Sequence, residues 1–200
     1  GKNWKAFSQK GNGRNLQSMT RKSKSGEGTA NPEVEFNRAL ELFKGGNHQK
    51  AAKVVRALTK KFPNVSEILQ LQGLIAVESG KPKDAIKILQ KALNVKPDDP
   101  KALNNLANAY RGSSQLENAR DAYRKSLDIR PAHPETLANL GGVLADLGEF
   151  EAAETVLSEA MKLAPDFADV GVNLSFVLIE LRKLDQAIDC CLTTLEQHPN

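Results

Sequence analysis

The sequence predicts an all-α fold: an α-solenoid of about five 34-residue helix–turn–helix units, preceded by a basic tail. Three observations carry this. Pro63, Pro97, Pro131, Pro165 and Pro199 recur every 34 residues, and Ala51, Ala85, Ala119, Ala153 and Ala187 recur at the same interval in fixed phase with them. Leu103, Leu106, Ala107 and Tyr110 also show the i, i+3, i+4, i+7 apolar stripe of an amphipathic helix. Composition alone does not give two residue types a shared phase over five copies. With the recurring proline at position 32, the units are 32–65, 66–99, 100–133, 134–167 and 168–200, and the tail is 1–31.

The tail comes first. It holds Lys2, Lys5, Lys10, Arg14, Arg21, Lys22 and Lys24 against a single acid, Glu27, so the basic pI near 9.0 belongs to it and the remainder is mildly acidic. Five glycines and little apolar periodicity leave too little surface to offset the entropy of ordering, so disorder is expected.

Within a unit, positions 4, 7, 8 and 11 form the buried stripe of a first helix, as Leu103, Leu106, Ala107 and Tyr110 do in the third. Position 8 is small throughout: Ala39, Gly73, Ala107, Gly141 and Ser175. Position 15 is Gly46, Gly80, Ser114, Gly148 or Arg182, and glycine there suits the positive φ that ends a helix. A second helix follows, apolar near positions 20, 24 and 27, as in Ala153, Leu157 and Ala160. Small residues at positions 8 and 20 let the two backbones approach. Every proline falls at a helix boundary, where its missing N–H does no harm; inside a helix it would cost about 3 kcal/mol.

These features, most fully displayed in "NLGGVLADLGEFEAAETVLSEAMKLAP", resemble the tetratricopeptide repeat. The resemblance covers 32–200 and implies helical pairs stacked in a right-handed superhelix that binds other proteins. Arg38 and Gln72 at position 7, Gly171 at position 4 and Arg182 at position 15 depart from the family pattern and are expected to weaken their units.

Several functions are set aside. Only 5% of residues are aromatic, so the core must be built from Leu, Ala, Val and Ile. No apolar run is long enough to span a membrane, and none has the form of a secretory signal. Cys190 and Cys191 are adjacent and have no second pair, so they suit a reducing compartment, and a cytoplasmic location is expected. His48, His133 and His198 fall in three different units without the spacing of a shared metal site; structural or surface roles are expected. No phosphate-cradling loop, nucleophile elbow or metalloprotease motif occurs. Asp98 and Asp99 fit a turn where acids cap the next helix. The expectation is no catalysis, no cofactor, no metal and no small-molecule substrate.

Binding remains. At about 100° per residue, positions 2, 5, 6, 9 and 13 lie opposite the buried stripe. Position 6 is Asn37, Leu71, Asn105, Asn139 and Asn173, while Asn104 and Asn108 fill positions 5 and 9 of the third unit. An amide both donates and accepts, so a row of them could bond the backbone of an extended peptide. By resemblance, "NNLANAY", "ANLGGVL" and "VNLSFVL" look like the asparagine ladder of O-linked N-acetylglucosamine transferase-type superhelices. The candidate face adds Lys101 and the apolar Phe36, Leu40, Leu71, Leu74, Val172 and Phe176, with small Ala138 and Gly142 in the fourth unit. Acids recur at its edge: Glu33, Glu67, Glu78, Glu135, Asp146, Asp169 and Glu180.

The partner expected is an extended peptide or protein segment with apolar anchors and few acids. The family's chaperone-binding carboxylate clamp is not matched, because Asn104, Asn108, Asn139, Asp169 and Asn173 stand at its positions without the cations it needs. Two rivals are kept. One is a substrate-targeting module of a larger glycosyltransferase- or sulfotransferase-type enzyme; the missing last residue of the fifth unit and the absence of a capping helix lead us to expect further chain beyond Asn200. The other is nucleic-acid association through the tail, against which a solvated linker is the favoured reading.

Overall fold

The computed structural model describes residues 31–197. Among these, every regular element is an α-helix: α1 (Pro32–Lys44), α2 (His48–Lys61), α3 (Ser66–Glu78), α4 (Pro82–Val95), α5 (Pro100–Gly112), α6 (Leu116–Ile129), α7 (Pro134–Asp146), α8 (Phe150–Leu163), α9 (Ala168–Glu180) and α10 (Leu184–Gln197). Within each compact unit consecutive helices pack on one another, as an α-solenoid of helix–turn–helix repeats requires. The disorder expected for the tail, and His198 and Pro199, lie outside the described residues.

The chain divides into two compact units, one ending at Ala109 and the other beginning at Tyr110.

One turn is built five times. Gly46, Gly80, Ser114, Gly148 and Arg182 all take positive φ, at 75°, 71°, 59°, 76° and 59°. The N–H of the next residue then reaches back to the carbonyl at position 11: Asn47 to Leu42 (2.8 Å), Lys81 to Ala76 (2.9 Å), Gln115 to Tyr110 (3.0 Å), Glu149 to Leu144 (2.8 Å) and Lys183 to Leu178 (2.9 Å). This is the six-to-one bond of a Schellman ending, and it satisfies a carbonyl the helix leaves open. The third and fifth turns form without glycine, so Arg182 keeps the turn that its residue type disfavours.

Side chains cap the starts of α1, α5 and α7. Asn31 Oδ1 accepts from Glu33 N–H (3.0 Å) at α1. Asp99 Oδ1 accepts from the N–H groups of Lys101 (3.0 Å) and Ala102 (3.3 Å) at α5, the cap expected of an acid there. The other oxygen of Asp99 accepts from Gln70 Nε2 (3.2 Å) and Lys96 Nζ (3.1 Å). The buried carboxylate thus joins α3, α4 and α5 at one point. His133 Nδ1 accepts from Thr136 N–H (3.3 Å) at α7.

In the first unit, α1 packs on α2, α2 on α3, and α3 on α4. One core cluster joins Phe36, Ala39, Phe43, Ala51, Val55, Leu58, Ile68, Leu71 and Ile75. In the second unit, α6 packs on α7, α7 on α8, α8 on α9, and α9 on α10. Close approach within a pair is set by glycine against a branched residue. A methyl group on Gly73 would lie 2.6 Å from Leu89 Cγ, and Gly141 stands in the same way against Leu157. Gly171, a departure from the family pattern, leaves room for the Thr194 side chain between α9 and α10.

Candidate binding faces

A helix in this fold has up to three helical neighbours: its pair partner, the second helix before it and the first helix of the next repeat. The outward arc of a first helix is therefore narrower than a single-helix projection indicates. Several residues expected on an exposed face are buried for this reason. Phe36 and Leu71 belong to the core of the first unit, with Leu40 and Leu74 half-buried against it. Asn104, Asn105 and Ala138 are buried, and Asn108 and Lys101 are half-buried. Asn37, Val172 and Phe176 are exposed as expected, while Asn139 and Asn173 are half-buried.

In the first unit, burial gives two of these groups a different meaning. Asn105 is 8% exposed and its Nδ2 has no hydrogen-bond partner among the described residues; Glu67, 7% exposed, leaves Oε2 equally unpartnered there. The two lie on the first helices of successive repeats, α5 and α3. A buried polar group left unpaired costs about 1–3 kcal/mol. One donor and one acceptor thus lie unpaired and shielded from solvent on these two helices. His48 packs edge-on against Phe43, with ring centroids 5.2 Å apart, a structural setting.

In the second unit, the small residues of α7 do not leave an open floor. The Arg111 guanidinium lies over Gly142, where a methyl group would come 3.2 Å from Nη2, and it pairs with Asp146 at 3.2 Å. A cation–acid pair therefore sits where the sequence suggested only small side chains. Beside it, α9 exposes Val172, Phe176 and Ile179 at spacings of four and three, an apolar stripe along one side of the helix. Asn173 follows Val172 in the same turn.

Sequence reasoning missed Arg111 and Ile179, both at position 12, a position left out of the projected face. It also missed positions 3 and 10. These are Ile68 and Ile75, Ala102 and Ala109, Thr136 and Val143, Val170 and Val177, all buried. In α1, with no repeat before it among the described residues, they are Val34 and Glu41, both exposed. The signal was a pair of small or β-branched residues seven apart, shared by the four later copies.

Two titrations are displaced. Burial pushes the Tyr123 phenol well above its usual value, partly countered by the charge of Arg111. Hydrogen bonds to Glu149 and then Asp121 raise the Arg120 guanidinium. Among the described residues no His/Cys/Asp/Glu group is arranged to hold a metal, and no helix is long and apolar enough to cross a membrane.

The sequence matches the family model of the Psidin N-terminal TPR repeats region over residues 39–163. No curated protein matches it. Solved structures share the fold. One is MamA, residues 41 to the end, from Desulfovibrio magneticus RS-1 (TM-score 0.74, 16% identity, covering 83% of this chain and 94% of that one). Another is TTC0263, a thermophilic TPR protein of Thermus thermophilus (0.71, 22%, 84% and 92%). A third is a chain of the APC/C hetero-tetramer Cut9–Hcn1 (0.77, 21%, 84% of this chain and 34% of that one).

Proposed function

Because this chain belongs to the family of the Psidin N-terminal TPR repeats region, we propose that it is a non-catalytic protein-interaction module whose first helices read the backbone of an extended partner segment. The observation that carries this is Asn105, buried with an amide N–H that nothing among the described residues accepts. A partner's peptide carbonyl would relieve that cost whatever side chain it carries, and the Glu67 oxygen would take a peptide N–H. The exposed stripe of Val172, Phe176 and Ile179 supports apolar anchoring in the second unit, beside Asn173, with Asn139 the corresponding amide on α7. Membership of a TPR family, whose fold is shared with a chain of an assembled hetero-tetramer, supports a protein partner.

The test is an array of random-sequence peptides, followed by affinities of the best binders for Asn105→Ala and, separately, Asn139→Ala/Asn173→Ala. One backbone hydrogen bond worth about 1 kcal/mol predicts a roughly fivefold loss for Asn105→Ala. That loss should be similar for peptides of different sequence. Folding should survive, since alanine is the better helix former and the orphan amide is removed. Unchanged affinity in both variants would sink the backbone-reading assignment.

A further inference from the structure

The second helices of the first unit carry a surface apart from the first-helix faces. In α2, Ala51, Val55 and Leu58 are buried, and on the opposite side Lys53, Arg56 and Lys60 follow one another at spacings of three and four, all exposed. In α4, Ala85, Leu89 and Ala92 are buried, and Lys83, Lys87 and Lys91 line the opposite side at spacings of four, again all exposed. Both stripes belong to one compact unit.

Among the described residues nothing neutralises these cations. The α2 helix contains no acid and α4 only Asp84. The ion pairs described in this unit, Arg38–Glu35, Lys44–Glu41 and Lys96–Asp99, involve none of them. Like charges four residues apart on a helix repel, so the stripes cost stability unless an anion meets them. Nor are they a general feature of the repeat. Position 22 is Lys53 and Lys87 in the first two repeats, but Asp121, Thr155 and Asp189 in the next three. The second helices accordingly pass from basic in α2 and α4, through balance in α6, to acidic in α8 and α10.

The chemistry of the stripes selects the anion. A helix held at a lipid surface buries apolar side chains below the headgroups, and neither stripe includes a large apolar residue. An acidic disordered segment would give up its ordering entropy for exposed ion pairs that each return little. Single-stranded nucleic acid stacks its bases on aromatic rings, and neither helix has a Phe, Tyr or Trp. Duplex nucleic acid is already ordered, presents one charge per about 1.7 Å, and releases condensed counterions as cations approach. The sequence before α1 adds seven bases against one acid. We infer that the outer faces of α2 and α4 bind the phosphate backbone of duplex nucleic acid without reading its sequence.

The experiment uses the full chain and a fluorescein-labelled, mixed-sequence DNA duplex, with anisotropy read between about 50 and 200 mM salt. Each neutralised phosphate adds about 0.9 to the slope of log affinity against log salt, so the six outward cations predict a slope of about −5 or steeper. A duplex of different sequence should give the same slope and affinity. Lys53→Gln/Arg56→Gln/Lys83→Gln/Lys87→Gln should flatten the slope by about 3–4 and weaken binding at least about tenfold. All four side chains are exposed, so circular dichroism should stay unchanged. Lys125→Gln/Lys162→Gln, which removes exposed cations from the second unit, should alter neither slope nor affinity. The inference is overturned if the duplex does not bind, or if the fourfold variant keeps the parent's slope, since the residues before α1 then carry the binding. It is equally overturned if the single strand, polyglutamate or phosphatidylserine vesicles bind more tightly than the duplex at the same salt. None of these outcomes depends on Asn105, so this inference and the backbone-reading proposal fail separately.

Discussion

Replacing Arg182 with glycine should stabilise the protein, although it removes a whole side chain. Arg182 holds φ at 59°, the conformation that Gly46, Gly80 and Gly148 take in the corresponding turns. A left-handed residue other than glycine costs about 1–2 kcal/mol. Glycine surrenders about 0.5–1 kcal/mol more conformational entropy on folding. The net gain is therefore about 0.5–1 kcal/mol for Arg182→Gly, and similarly for Ser114→Gly. The reverse change, Gly148→Ala, should cost about as much, and the effect is purely conformational because an added methyl group would meet nothing within 4 Å. Urea unfolding measures all three. With a slope of about 2 kcal/mol per molar, midpoints should move by roughly 0.3–0.5 M, upward for Arg182→Gly and Ser114→Gly and downward for Gly148→Ala, with the slope unchanged. If Arg182→Gly lowers the midpoint, the side chain is making a contact that outweighs its backbone strain and the reasoning fails.

Other outcomes follow from the packing. Gly73→Ala would force a methyl group to within 2.6 Å of Leu89 Cγ and should cost about 1–3 kcal/mol. Adding Leu89→Val should recover part of this, since the first repeat pairs Ala39 with Val55 at the same positions, and thermal denaturation of the single and double variants measures the coupling. Asp99→Ala removes the α5 cap and leaves Gln70 without its carboxylate partner, so stability should fall by about 1–2 kcal/mol or more, visible as a lower melting temperature. Raised by burial, the Tyr123 phenol contributes stability that is complete below its unfolded pKa of 10.0 and is lost as pH climbs above it towards the folded value. Stability measured from about pH 9 upward should therefore decline in the parent more steeply than in Tyr123→Phe.

Much of this architecture was legible because repetition supplies its own control. A proline or alanine that recurs in phase reports a helix boundary or a tight contact, and the helices begin and end accordingly. The candidate face was harder. A projection at about 100° per residue treats a helix as having one buried side, which holds for an isolated amphipathic helix on a core. It misplaced Phe36 and Leu71 because α1 and α3 share one core, and it overlooked Ile68, Ile75, Val170 and Val177 because their cover comes from the repeat before. Ser114 and Arg182 were hidden for another reason. The backbone bonds around a Schellman turn can hold an unfavourable residue in place, so residue type alone understates how uniform the turn is. The Arg111 side chain over Gly142 could not be read at all, since it depends on residues of two successive repeats meeting in space.

The junctions of the second unit carry a further consequence. Arg120 on α6 pairs with Glu149 at 2.7 Å, and Glu154 on α8 pairs with Lys183 at 2.6 Å. Position 21 of one repeat meets position 16 of the next in both cases, but the signs are exchanged. Repeat four therefore carries a glutamate at each end of this contact. Were it duplicated in tandem, Glu154 of one copy would face Glu149 of the next, and the seam would repel. The repeats look interchangeable by backbone, yet these paired signs give the array a reading order. Units reordered in tandem would exchange each of these partly exposed pairs, worth about 0–1 kcal/mol, for a like-charge contact at the seam.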